Sequence, residues 1–114
     1  MSQGAVALVL HAHLPYVRSA QPGSLEEDWF FQALIECYLP LLECLEDAAA
    51  DPKRSPKITI GLSPTLLSLL SDADLKRRFP AWIQSRLDLL PKADPRLRDA
   101  VDHLAITMQR HLQA

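Results

Sequence analysis

The chain has 114 residues, 48% hydrophobic and 23% charged, which fits at most one ordinary globular domain and excludes a disordered polymer. Its 12 Lys and Arg residues are interspersed with 14 acidic ones for a net charge of -2, so it has no basic footprint for nucleic acid or an anionic membrane. The apolar run at residues 5–10 is too short to span a bilayer and no basic flank or cleavage site precedes it, so a cytoplasmic protein is expected.

Residues 5–10, AVALVL, are continuously apolar and partly β-branched, which predicts a parallel strand covered on both faces. Residues 14–24, LPYVRSAQPGS, hold two prolines and a glycine and predict a loop. Ser24-Leu-Glu-Glu27 has the spacing of a capping box, and Glu26, Glu27 and Asp28 favour the positive end of the helix that follows. That helix carries Leu34, Tyr38, Leu41, Leu42 and Leu45 as an apolar stripe, with Pro40 expected to bend it midway. Cys37 and Cys44 lie seven residues apart on it, roughly 10 Å at about 1.5 Å per residue, too far for a disulfide. They read as small buried apolar side chains of a reducing compartment.

A second strand is expected over residues 57–62, KITIGL, which alternates Ile58, Ile60 and Leu62 with Lys57, Thr59 and Gly61. Ser63-Pro64 then supplies an N-cap and first-turn pair for a short helix through Leu70. Asp72 to Leu90 predicts one or two helical segments interrupted near Pro80, and Asp94-Pro95 starts a last helix with the stripe Leu97, Val101, Leu104, Ala105, Met108 and Leu112. Strand, helix, strand and further helices make an α/β protein with two parallel strands. Two strands rarely bury both faces, so the pattern looks like the opening of a longer architecture whose strand edges invite self-association.

His11 and His13, in residues 9–16 (VLHAHLPY), are the chemically distinctive residues. On a strand they share a side with Ala5, Ala7 and Val9, at the carboxyl end, where parallel α/β folds place their sites. Three readings are open: capping of the strand by hydrogen bonds to loop backbone, metal ligation as in His-x-His barrel hydrolases, or hydrogen bonding to a polar substrate. A metal needs three or four ligands, and His103 and His111 lie on the last helix, so neither metal nor cofactor is expected. Glu26, Glu27 and Asp28 are explained by the helix dipole. No phosphate loop or nucleophile elbow is present.

Residues 5–16, AVALVLHAHLPY, then LEEDWFFQALIECYLPLLECLE and ITIGLSPTLLSLL, resemble the N-terminal portion of glycoside hydrolase family 57, closest to its 1,4-α-glucan branching enzymes. The resemblance covers residues 5 to about 85. It implies the first units of an incomplete (β/α)7-type barrel, and hence a partial catalytic domain over residues 1–114. It also implies a retaining mechanism with two carboxylates roughly 5 Å apart, from motifs beyond this stretch, and transfer of glucan to a sugar 6-hydroxyl. The chain alone is then expected to be inactive, with no catalytic residue of its own. His11 and His13 resemble the first-motif histidines that line the sugar site. Trp29 falls where an aromatic residue borders the glucan groove in some relatives. Amylases and 4-α-glucanotransferases share the wider family, and a metal-dependent hydrolase or a non-enzymatic α/β remnant are the readings outside it.

Overall fold

The computed structural model describes residues 4–18, 21–53, 57–90 and 98–113. The chain divides into two compact units, one up to Ser71 and one from Asp72. In the first unit, β1 (Leu8–Ala12) and β2 (Ile58–Leu62) pair in parallel, with Leu8 opposite Ile58 and His11 opposite Gly61. The parallel pairing is as expected, but β1 starts three residues later than the apolar run and takes in His11 and Ala12. Hydrogen-bonding register, rather than hydrophobicity, decides where a ladder begins. Among the described residues the expected cover on both faces is not formed, with Val6 99%, Leu8 52% and Val9 66% exposed.

The connection between the strands is helical over residues 25–49 and has three parts: α1 (Leu25–Ala33), a π turn (Leu34–Tyr38) and α2 (Leu39–Ala49). Ser24 caps α1 by accepting from the Glu27 backbone N–H at 3.2 Å, while Glu27 Oε1 accepts from the Gly23 N–H at 3.4 Å. The capping box is thus formed with its return arm one residue early, and Gly23 supplies the positive φ of 78° that the turn needs. In the π turn the Leu39 N–H reaches the Leu34 carbonyl, five residues back. Pro40 gives the physical reason: it has no N–H, and in an α turn its ring would strike the Glu36 carbonyl, a clash that a wider turn relieves.

The residues that pack in this unit are Phe30, Phe31 and Ile35 from the long helix, Val17 from the loop, and Leu66 and Leu69 from α3 (Pro64–Ser71). The expected stripe is corrected in part: Leu34, Tyr38, Leu41 and Leu45 are only half-buried, Leu42 is exposed, and none of α2 is fully buried. Cys37 and Cys44 are free but exposed, not buried as expected.

In the second unit, α4 (Ala73–Leu87) packs with α5 (Arg98–Gln113) and buries Leu75, Ile83 and Met108. Asp72 caps α4 by accepting from the Asp74 and Leu75 N–H groups at 2.9 and 3.0 Å. Pro80 sits inside α4 without the expected interruption. It is exposed, as is Lys76, whose carbonyl lost its partner, so water can take that carbonyl's bond. Phe79 and Trp82 stack at 6.2 Å, with the Arg86 guanidinium 5.2 Å from the Trp82 ring. The expected start at Asp94-Pro95 and the side chains of Leu97, Val101, Leu104 and Leu112 lie outside the described residues. No helix among the described residues is long and apolar enough to cross a membrane.

Candidate functional site

The site forms where the parallel strands end together. His11 is the fourth residue of β1 and His13 lies one residue beyond it, so their i, i+2 spacing puts both rings on one side. The imidazoles are near-parallel, 10° apart in tilt with centroids 6.1 Å apart, close to the roughly 6.6 Å rise of two strand residues. Both are exposed. A neutral imidazole offers one donor and one acceptor, so the pair presents two of each to a polar ligand.

Gly61 makes room for this arrangement. A Cβ there would stand 3.3 Å from His11 Nδ1, so the position opposite His11 in the register is kept clear. Beyond His11, three consecutive carbonyls of the strand end are each held from a different direction. The Ala12 carbonyl accepts from the Ser63 N–H at 3.0 Å, the His13 carbonyl from Tyr38 Oη at 3.4 Å, and the Leu14 carbonyl from Thr65 Oγ1 at 2.9 Å. Ser63 also caps α3, its Oγ accepting from the Leu66 N–H at 3.3 Å. These bonds engage the backbone carbonyls of residues 12–14 and not the imidazoles, both of which are exposed.

Trp29, the third site residue expected from the sequence, comes from α1 and is 52% exposed, while its neighbours Glu27, Phe30 and Phe31 turn inward. Tyr16 is 61% exposed in the loop. Glu27 is buried and engaged in the α1 cap, a structural task. Among the described residues, no group of three or more His, Cys, Asp or Glu side chains converges to hold a metal ion. The sequence reading missed Gly61, Tyr38, Ser63 and Thr65. The Ser63-Pro64 cap was legible, but its reach across to residues 12–14 has no local signature.

No family model matches the sequence. A 1,4-α-glucan branching enzyme of Thermococcus kodakarensis is 34% identical over 88 residues, covering 75% of this chain and 12% of that protein. A protein of Mycobacterium tuberculosis named "Probable 1,4-alpha-glucan branching enzyme" is 39% identical over 69 residues, 60% of this chain and 13% of that one. The chain thus spans about an eighth of these curated relatives. Among solved structures, the GH57-type branching enzyme of Pyrococcus horikoshii superposes with a TM-score of 0.76 at 29% identity, covering 94% of this chain and 21% of that one. The α-amylase AmyC of Thermotoga maritima gives 0.81 at 26% identity, covering 98% and 22%. The backbone superposes on both enzymes, so it is the sequence identities that distinguish them, and these favour branching enzymes. The chain is related to the GH57-type 1,4-α-glucan branching enzymes.

Proposed function

We propose that this chain supplies part of the glucan site of a retaining branching enzyme, with His11 and His13 orienting sugar hydroxyls and Trp29 stacking on a pyranose face. The observation that carries this reading is the pair of exposed, near-parallel imidazoles at the carboxyl end of β1. Parallel α/β sheets bind ligands at that end, and imidazoles and indoles suit a neutral polyhydroxylated ligand that brings no charge to pair.

In this reading the residues here bind and orient, and the reaction belongs to two carboxylates outside the chain. One attacks the anomeric carbon to form a glycosyl ester while the other protonates the departing glycosidic oxygen. The second then takes the proton of an incoming sugar 6-hydroxyl, which displaces the ester with overall retention. The chain alone accordingly has no branching or hydrolytic activity. An amylase fragment is the second reading, favoured by the higher TM-score with AmyC; it shares the binding residues and differs in using water as the final acceptor. We assign the chain to the cytoplasm, where exposed Cys37 and Cys44 stay reduced. We also propose that its open sheet edges self-associate.

The test is affinity electrophoresis of the chain through gels containing amylose. Retardation that is lost in His11→Ala and His13→Ala supports the reading, and equal mobility with and without amylose rejects it. Incubation with amylose, followed by debranching, should reveal no new α-1,6 linkages; their appearance in a clean preparation would refute the division of labour.

A further inference from the structure

The Leu14 carbonyl only accepts, so the Thr65 hydroxyl proton, 2.9 Å away in donor-to-acceptor distance, is committed to it. The 3.0 Å contact between Ser63 Oγ and Thr65 Oγ1 therefore has one direction, with Ser63 donating. Ser63 Oγ itself accepts from the Leu66 N–H. The result is a directed chain from the Leu66 N–H through the Ser63 and Thr65 hydroxyls to the Leu14 carbonyl. Each link polarises the next, and Ser63, at 7% exposure, is screened from competing water.

A second anchor approaches from the long helix. Tyr38 closes the π turn ahead of Pro40, and its hydroxyl donates to the His13 carbonyl at 3.4 Å, long for such a bond. Burial, with Cys37 next to it, raises the Tyr38 pKa from its ordinary value and keeps that proton in place. His13 itself lies past the last ladder residue, Ala12, so the sheet does not fix it. Its backbone conformation depends on the peptide planes on either side of its Cα. Ser63 holds the plane before it, Tyr38 the plane after it and Thr65 the one beyond.

We propose that Tyr38 and Thr65 are positioning residues that set the direction of the His13 imidazole toward a glucan, while His11 is set independently by the β-ladder opposite Gly61. The inference rests on the glucan reading for its ligand but not for its geometry. It is tested on the whole chain with Thr65→Val, Thr65→Ser and Tyr38→Phe, following the histidine Cε1–Hε1 NMR signals and titrating with maltohexaose. The expected result is a shifted His13 signal and an unshifted His11 signal in Thr65→Val and Tyr38→Phe. Maltohexaose binding should weaken about fivefold, the scale of one lost hydrogen bond, and Thr65→Ser should restore both. A merely structural role would move both histidines in step with the melting temperature, and that outcome overturns the proposal, as does an unmoved His13. If Thr65→Val does not fold, Tyr38→Phe decides, since it removes one oxygen from a half-buried ring. If the unaltered chain does not bind maltohexaose, the glucan reading falls, and the His13 signal still decides the positioning.

Discussion

The two ends of residues 6–14, the segment that contains β1, invert the usual relation between polarity and order. Its apolar beginning, Val6 to Val9, is largely exposed, whereas its polar end, His11 to Leu14, is tied down at three consecutive carbonyls. Directional bonds thus fix the segment that carries the chemistry, while the side chains that resemble a core bury little. A hydrophobic pattern reports the fold a sequence resembles; exposure reports what this chain covers.

Substitutions should separate the two ends. Phe31→Ala, at 1% exposure, should destabilise the chain by about 3–5 kcal/mol, while Val9→Ala, at 66%, should stay within about 0.5 kcal/mol in urea unfolding. A large cost at Val9 would mean that the start of β1 is covered in solution, as self-association would cover it. Val9→Lys addresses that directly, because a charge on an open strand should weaken association about tenfold by sedimentation velocity. An unchanged dissociation constant would place any association elsewhere.

On α1, Trp29→Ala should weaken maltohexaose binding about tenfold, as expected for loss of a stacking ring, and change stability by about 1 kcal/mol or less, since the ring is half exposed. Unchanged titration heats would remove Trp29 from the site. Gly61→Ala should act on His11 alone: the added methyl, 3.3 Å from Nδ1, displaces that ring by a few tenths of an ångström. Binding should fall about threefold, the small cost of one misplaced hydrogen bond, with the His13 signal steady. The smallest effect is on pH. Tyr38 has a folded pKa raised above its ordinary 10.0, so its contribution is intact below about pH 10 and is lost as pH rises through the raised value. Tyr38→Phe should flatten that alkaline loss, as read by thermal melts.

Much of the local structure was legible in the sequence because its causes are local. Ser24 and Ser63 cap helices where hydroxyl spacing placed them, and Ile58 to Leu62 forms a strand as its alternation required. Other features depend on partners distant in sequence. Thr65 and Leu14 are 51 positions apart, and no periodicity in either segment encodes their bond. The π turn escaped because proline was expected to bend the helix rather than widen it. The histidines stood out because two imidazoles interrupt an apolar strand, but the groups that hold their backbone could be found only in three dimensions.

The central claim is that a glucan binds at the polar end of β1, and a crystal structure of the chain with maltohexaose tests it most directly. The account predicts a sugar ring with hydroxyls within hydrogen-bonding distance of both His11 and His13 and a pyranose face on Trp29. Sugar seated instead on the Phe79 and Trp82 rings of α4, with the two imidazoles untouched, would contradict it.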